Sequence, residues 1–195
     1  MKSSRARNSQ DKENKRNIIM DSAIELFLSS SGKIPSATQV AKLSNMTKGN
    51  LYTYFKSKEE LFFDLLIEQY KNWFKEAQSL GDYSFKLETR LFEGFYNNEL
   101  HVKLCSLYHS GLKHSLSEKQ KEFMEKLVRD QLDKLTIPIS NASVLSKSEI
   151  QILLYSSISL IIGAYHFEHE YEDGYNALTP QDIYLPRLKV MWSIH

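Results

Sequence analysis

The sequence predicts an all-α protein, and three observations lead to this prediction. The 195 residues include only seven glycines and four prolines, which favours long helices joined by few sharp turns. Apolar residues recur every three or four positions along most of the chain, and no run alternates as a β-strand would. Helix-start signals, in which a Ser stands three residues before a Glu or Gln, occur at several points.

The chain opens with a polar segment that leads into the first helix. Residues 1–13 lack an apolar period, so we predict a flexible basic tail there, acting either as a basic arm or as a solubilising extension. From Asn14 onwards, Ile19, Ala23 and Phe27 recur at helical spacing and predict a helix that braces the elements after it.

The next stretch carries three helix starts at close intervals. Ser36 and Gln39 form a capping box, Thr47 is a candidate N-cap, and Ser57 begins a second capping box. Two short helices separated by so few residues indicate a helix-turn-helix. Asn45 is the expected turn residue, because asparagine adopts the left-handed backbone conformation more readily than most non-glycine residues.

The second helix of this pair, predicted from Lys48 to Phe55, has two different faces. Leu51 and Phe55 are spaced by four and are expected to pack on the preceding segment, against Val40, Ala41, Leu43 and Met46. The opposite face is basic, polar and aromatic, and carries Lys48, Asn50, Tyr52 and Tyr54. Such a face is either an ordinary solvated surface or a contact surface for nucleic acid.

A family resemblance distinguishes these two interpretations. The segment from Thr47 to Leu61, TKGNLYTYFKSKEEL, resembles the signature of the TetR family of bacterial transcriptional regulators. The resemblance continues upstream in the same register and covers roughly residues 14–70. The sequence departs from the family pattern at Asn45, where the family usually has glycine.

The resemblance implies both an architecture and a function. It implies a homeodomain-like three-helix head over residues 14–56, a linking helix over 57–80, and an effector-binding and dimerisation domain over 81–195. The implied function is that of a homodimeric repressor that leaves its palindromic double-stranded DNA operator when a small, largely hydrophobic effector binds. The alternative is an activator, or a regulator controlled by a partner protein without a small-molecule ligand.

Eight residues form the candidate DNA-binding site. Lys48 and Asn50 are suited to base edges, because lysine pairs with guanine acceptors and asparagine with adenine. The remaining six are expected to hold phosphates and set the register: Thr38, Thr47, Gly49, Tyr52, Tyr54 and Lys58.

The charge distribution agrees with a DNA-binding head. The net charge is only +1, but residues 1–60 hold eleven Lys and Arg against six Asp and Glu, a net charge of +5. The remainder holds fourteen against eighteen, a net charge of −4. A basic amino-terminal third on an acidic body is the distribution expected of a small DNA-binding head.

Caps and apolar periodicity predict a helical body. A long helix from Ser57 to about Ser79 is expected to be followed by helices over about 84–97, 99–114, 118–136, 147–171 and 180–194. Pro138 and the polar stretch to Ser146 predict the clearest loop. The apolar run from Ile150 to Phe167 is interpreted as a helix buried on more than one side, not as a membrane span.

Two functional surfaces are expected in this body. Aromatic residues that either line an effector pocket or simply fill the core are Trp73, Phe95, Tyr96, Tyr108, Phe123 and Tyr155. Ser156, Ser159 and Gly163 form a flat stripe where a helix of a second subunit can approach closely.

Other classes of site have less support in the sequence. His101, Cys105 and His109 share one helix face, which fits either a metal site or a core cysteine between two histidines. Motifs for phosphate-loop, serine-hydrolase and zinc-protease chemistry are missing, so we expect neither an enzyme nor a cofactor. The single cysteine and the lack of a signal-like opening segment favour a cytoplasmic protein without a membrane partner.

Overall fold

The computed structural model describes residues 4–30, 33–80, 87–170 and 180–193. These parts contain helices and turns without any β-strand, which confirms the all-α prediction. The helices are α1 Ser4–Ser29, α2 Ala37–Leu43, α3 Lys48–Leu51, α4 Lys58–Gln78, α5 Leu87–Tyr96, α6 Glu99–Ser110, a 3₁₀ helix Leu112–Ser115, α7 Glu118–Ala142, α8 Lys147–Glu170 and α9 Pro180–Ser193.

Helices α1, α2 and α3 pack with the start of α4 to form the three-helix head. Phe27 of α1 meets Phe62 of α4 edge to face, with ring centroids 5.0 Å apart, and Leu51 and Phe55 are buried beside them as expected. Leu43 differs from the prediction, because it is 39% exposed. The buried stripe of α2 instead continues to Ser44, whose hydroxyl donates a hydrogen bond back to a carbonyl within α2.

The turn between α2 and α3 has the geometry that the sequence predicts. Asn45 has a φ of +53°, the only positive φ at a non-glycine residue in the described part of the chain. The Met46 amide donates to the Ala41 carbonyl at 2.8 Å and the Asn45 amide to the Lys42 carbonyl at 3.2 Å. This pair of bonds is a Schellman motif, which places its left-handed residue at Asn45.

The second helix of the pair is shorter than predicted. Helix α3 is α-helical only from Lys48 to Leu51, whereas we expected a helix to Phe55. Beyond Leu51 the amides of Thr53 and Tyr54 donate to carbonyls three residues back, so the chain continues as tighter turns. The Thr53 hydroxyl also donates to the Asn50 carbonyl at 2.7 Å, which competes with regular helix bonding.

The first helix begins earlier than predicted. We expected a flexible tail over residues 1–13, but α1 starts at Ser4, and residues 1–3 lie outside the described part. The segment 4–13 contains neither glycine nor proline, so extending the helix outwards meets no backbone obstacle. Residues 9–13 are exposed, so this part of the extension does not pack on the head.

A charged contact fastens α1 to the linking helix. Arg16 of α1 donates to the Asp64 carboxylate of α4 at 2.8 Å. The same guanidinium lies 5.1 Å from the centre of the Phe55 ring, at the end of the helix-turn-helix. Partial burial raises the pKa of the Asp64 carboxyl, and the hydrogen bond and charge of Arg16 oppose that rise.

The body is built around α4, which contacts α5, α6 and α7, while α8 contacts α6, α7 and α9. The loop that we predicted at Pro138 is wrong, because α7 continues through this proline to Ala142. Leu135 and Ile139 flank the proline and are almost completely buried. Their packing outweighs the hydrogen bond that a proline removes from a helix interior.

Helix α8 is less enclosed than its composition suggests. Its segment Lys147–Tyr165 has a mean hydropathy of 1.2 and, by length and composition alone, is long and apolar enough to cross a membrane. Only 28% of that segment is buried within this chain, so α8 packs on α6, α7 and α9 but leaves one stripe of its surface exposed. Trp192 of α9 donates to the Ser157 hydroxyl at 3.1 Å, which fixes α9 on one side and leaves the other side open.

A histidine is buried in the aromatic core of the body. His101 is 1% exposed, and its ring centroid lies 5.1 Å from that of Tyr70, 6.2 Å from Trp73 and 4.3 Å from Phe95. Its Nε2 atom has no hydrogen-bond partner among the described residues. Burial lowers the pKa of His101 to about 3, so the imidazole is neutral at physiological pH.

The turn geometry leads to a stability prediction. Asn45→Ala should lower the free energy of unfolding by about 1 kcal/mol, because alanine tolerates the left-handed conformation less well than asparagine. Glycine adopts the left-handed conformation without strain, so Asn45→Gly should not destabilise the folded state. The entropy that glycine adds to the unfolded chain is the opposing effect. Urea unfolding at pH 7 measures both. Equal stability of the alanine variant would contradict the assigned turn.

The buried histidine leads to a prediction about pH. The pKa of His101 is about 3 in the folded state and near 6.5 when unfolded. Its contribution to stability is therefore complete above about pH 6.5 and is lost as the pH falls below that value. Between pH 7 and pH 5 the loss should be about 2 kcal/mol.

A variant comparison isolates that contribution. His101→Leu should show a smaller fall in unfolding free energy between pH 7 and pH 5 than the wild type. His114→Gln, at an exposed position, is the matched control and should retain the wild-type fall. An unchanged pH dependence in His101→Leu would show that another group is responsible.

Candidate nucleic-acid interface and ligand cavity

Seven of the eight predicted DNA-binding residues are exposed on the surface of the head. Three helix segments, the start of α2, α3 and the start of α4, border a depression of about 570 Å³. Four of the eight predicted residues line it, namely Thr38, Lys48, Tyr52 and Lys58. Thr47, Gly49 and Asn50 are exposed on the adjoining surface of α3.

The first turn of α3 is fixed by its own hydrogen bonds. The Thr47 hydroxyl accepts from the Asn50 amide at 3.1 Å, which caps the helix and exposes its first residues. The Lys48 ammonium lies 6.0 Å from the centre of the Tyr52 ring, so both side chains cover the same surface. A Cβ atom at Gly49 would meet only the Thr47 hydroxyl at 4.0 Å, so packing within the head does not require glycine there.

Two side chains near the depression differ from the sequence analysis. Tyr54 is half-buried and packs against the hydrophobic core, because it follows the buried Leu51 by three positions and so lies close to the buried face. Lys56, which the sequence analysis did not include, is exposed and lines the depression. The sequence signal that could have identified Lys56 was its position two residues before Lys58, with the N-cap residue Ser57 between them.

The depression has an excess of positive charge. Its lining includes three lysines, Lys48, Lys56 and Lys58, and a single carboxylate, Glu59. Lys58 lies 3.8 Å from Glu59 and its side chain is 45% exposed, so this adjacent ion pair is weak. Lysines and hydroxyls around the start of short helices are the groups that hold a phosphate backbone.

The body contains a larger cavity, of about 880 Å³, between α4, α6, α7 and α8. Its wall is mostly apolar and includes Phe74, Met124, Val128, Leu132, Ile158 and Ile162, with charged groups at Lys113, Glu125 and Arg129. A volume and lining of this kind suit a small organic molecule.

Two of the six predicted pocket aromatics border this cavity, namely Tyr108 and Tyr155. Trp73 and Phe95 instead lie in the core, where the Trp73 indole donates to the Leu91 carbonyl at 2.9 Å. Helical periodicity shows that these aromatic residues lie on the inner face of a helix. It does not show whether they border a cavity or fill the core.

The other two predicted aromatics also lie away from the cavity. The ring of Tyr96 packs on that of Tyr184, with centroids 4.7 Å apart. Phe123 is 50% exposed, while its neighbour Met124 lines the cavity. Adjacent residues of a helix point about 100° apart, which accounts for the difference between Phe123 and Met124.

Two ionisable side chains at the cavity, Tyr108 and His109, are held uncharged. Desolvation, and then the Glu125 carboxylate, raise the pKa of the Tyr108 hydroxyl. Desolvation, and then the charge of Lys113, lower the pKa of His109. Both side chains therefore present neutral hydrogen-bonding groups at physiological pH.

The histidine–cysteine face of α6 is divided between the core and the surface. His101 and Cys105 are buried in the core, whereas His109 is exposed. Burial raises the pKa of the Cys105 thiol to about 12, which disfavours the thiolate that a metal needs. The described residues contain no group of three or more His, Cys, Asp or Glu side chains arranged as metal ligands.

The open side of α8 contains the predicted small-residue stripe. Ser156, Ser159 and Gly163 are exposed, and a Cβ atom at Gly163 would meet no atom of this chain within 4 Å. Exposed apolar residues adjoin the stripe, with Ile152 of α8 at 63% and Val190 of α9 at 60% exposure. This surface is accessible to a second helical protein surface.

Comparisons with known proteins agree with the geometry of the head. The family model described as bacterial regulatory proteins, tetR family, matches residues 19–65. The transcriptional regulator QacR of Staphylococcus aureus is 31% identical over 122 residues, which span 60% of this chain and 60% of that protein. The uncharacterised regulator YhgD of Bacillus subtilis is 38% identical over 66 residues, which span 32% of this chain and 35% of that protein.

A solved structure extends the similarity to the fold of the whole chain. The fatty acid degradation regulator FadR of Bacillus halodurans superposes with a TM-score of 0.66 at 13% identity, covering 91% of this chain and 94% of that one. At this identity the match concerns the fold alone. Together with the helix-turn-helix geometry, the family match shows that residues 19–65 form a head domain of the tetR family of bacterial regulatory proteins.

Proposed function

We propose that the protein is a cytoplasmic, homodimeric DNA-binding transcriptional regulator that represses from a palindromic operator and is released by a small, largely hydrophobic effector. The observation that carries the proposal is the lysine-rich depression around α3, in which Lys48, Lys56 and Lys58 face a single carboxylate. The alternative is an activator, or a regulator controlled by a partner protein without a small-molecule ligand.

The head has the groups needed for reading a major groove. Lys48 and Asn50 are exposed at the start of α3, where their side chains reach base edges when the helix enters the groove. Thr38, Tyr52 and Lys58 around the depression then hold phosphates on either side. Lys56 is added to these phosphate contacts because it lines the same depression.

A second copy of the chain is supported by the exposed side of α8. One three-helix head makes few contacts with DNA, whereas two heads on a two-fold axis read a palindrome and combine their binding free energies. The stripe of Ser156, Ser159 and Gly163 lets two copies of α8 approach closely, and the adjoining apolar side chains of α8 and α9 lose water.

Effector control is supported by the position of the cavity against α4. Tyr70 and Phe74 of this helix line the cavity, and Asp64 of the same helix is bonded to Arg16 of the head. An effector that prefers a different tilt of α4 would favour a different separation of the two heads. The operator requires the two heads to be separated by about one helical turn of DNA. The operator and the effector therefore favour different conformations, and each weakens the binding of the other.

The test of the function is fluorescence anisotropy on duplexes that tile the DNA beside the gene, with unrelated competitor DNA and two salt concentrations. One duplex retained against competitor would support a specific regulator. Equal and steeply salt-dependent binding to all duplexes would indicate phosphate contact alone. A lack of binding at low salt would refute the DNA-binding proposal. Loss of binding on adding a ligand would separate the repressor from its alternative.

Substitution of the recognition residue should weaken specific binding. Lys48→Ala should lower the affinity for the operator by about tenfold, because one good side-chain contact to a base is worth about 1–3 kcal/mol. Tyr54→Phe should have only a slight effect, since this side chain is half-buried. Lys119→Ala on α7 is the control at an exposed lysine outside the head. Wild-type affinity in Lys48→Ala would remove Lys48 from the base-reading role.

Substitution on the open side of α8 should separate the subunits. Gly163→Arg meets no steric obstacle within one chain and favours helix, so the single subunit should remain folded. The bulky charge should nevertheless prevent close approach of two copies, and sedimentation velocity should show a monomer. Glu122→Arg on α7 introduces the same side chain at another exposed position and should leave the dimer intact. A dimeric Gly163→Arg variant would place the interface elsewhere.

A further inference from the structure

A buried lysine connects the body to the head. Lys103 of α6 has a side chain only 6% exposed, and its ammonium lies 2.7 Å from the Glu99 carboxylate one turn earlier. The same ammonium donates to the backbone carbonyl of Leu28 at 3.4 Å. Leu28 is the penultimate residue of α1, so this bond joins a body helix to the end of a head helix.

The position of the ammonium matches the electrostatics of a helix end. The last carbonyls of a helix lack partners within the helix and carry a partial negative charge. A lysine that donates to the Leu28 carbonyl satisfies one of these groups and places its positive charge at the favourable end of α1. The carboxyl end of α1 is thereby held at a defined position on α6.

A buried charge is a costly way to gain stability. Removing an ammonium from water opposes folding, and an apolar side chain of similar volume often packs equally well. Glu99 is 60% exposed and only partly offsets this cost. An apolar residue cannot donate a hydrogen bond to the Leu28 carbonyl. This directional bond fixes α1 relative to α6.

The contact between Lys103 and Leu28 lies between the cavity and the head. Ser106 and Tyr108 line the cavity and follow Lys103 on α6 within about one and a half turns. Arg16 joins α1 to α4 near the middle of α1. Helix α1 is thus held at two points, one on the linking helix and one on a helix that walls the cavity.

From these contacts we propose that Lys103 is a positioning residue, which fixes the angle of the head on the body by holding the carboxyl end of α1. The effect on operator binding rests on the proposed function, whereas the effect on the angle does not. Without this bond the head samples a wider range of angles, so a smaller fraction of molecules has the head separation that the operator requires.

The angle is tested by the distance between spin labels on the head and the body. Lys42→Cys and Lys134→Cys introduce labelling sites at exposed positions on α2 and α7, and Cys105 is fully buried and protected from the label. Labelled protein is diluted with unlabelled protein so that only distances within one chain are measured. The Lys103→Met variant should broaden or shift the distance distribution of the otherwise unchanged full-length chain.

Two controls separate positioning from general stability. Glu99→Gln keeps the Lys103 ammonium and its bond to Leu28, and should retain the narrow distribution. Lys119→Met makes the same chemical change at an exposed lysine and should also retain it. Thermal unfolding of Lys103→Met should occur at or above the wild-type temperature. An unchanged distance distribution, or loss of the fold in Lys103→Met, would overturn the proposal.

Operator binding gives a second readout on the unlabelled proteins. Lys103→Met should weaken operator affinity roughly threefold to tenfold while leaving its salt dependence unchanged, because no phosphate contact is removed. Unchanged affinity or a smaller salt dependence would contradict the positioning role. If wild-type protein bound no DNA, the proposed function would fail, and the label distances would still decide whether Lys103 sets the angle.

Discussion

The ion pair between Arg16 and Asp64 is the contact on which the arrangement of the head depends. One guanidinium bonds to the linking helix and covers the Phe55 ring where the helix-turn-helix ends. It therefore joins the first helix, the recognition segment and α4 at a single point. Because the pair is only partly exposed, it is less screened by salt than a surface pair and holds a defined geometry.

This contact explains how a small head acts as one unit on a larger body. The head has its own core around Phe27 and Phe62, so its three helices move together. The cavity lies against α4 at Tyr70 and Phe74, one to three turns beyond Asp64. In the proposed mechanism, a change in the tilt of α4 at the cavity would displace the head as one unit without deforming it.

The sequence predicted the head more completely than the body for a physical reason. Head geometry is set by local signals, such as the cap at Ser36 and the left-handed turn at Asn45, which act between near neighbours. The recognition helix was predicted too long because apolar spacing does not distinguish an α-helix from the tighter turns that follow Leu51. Lys56 was missed because the depression that it lines forms where α2 approaches α4, and its position two residues before Lys58 is only a weak local signal.

Features of the body depend on packing between distant segments. Pro138 normally ends a helix, but buried neighbours keep α7 continuous through it. The sequence identified the aromatic residues of the body as candidates for the core or the cavity wall. Whether a given ring borders the cavity depends on how the helices are rotated relative to one another. The cavity could therefore be predicted to exist, whereas most of its lining could not.

The open apolar side of α8 also has a consequence for the amount of active protein in a cell. In the proposed dimer, folding and association would be linked, so the apparent stability of each chain would rise with protein concentration. Newly made chains at low abundance would spend more time as single subunits with this surface exposed, and would be more accessible to proteases. The number of DNA-binding molecules would then increase more steeply than the rate of synthesis.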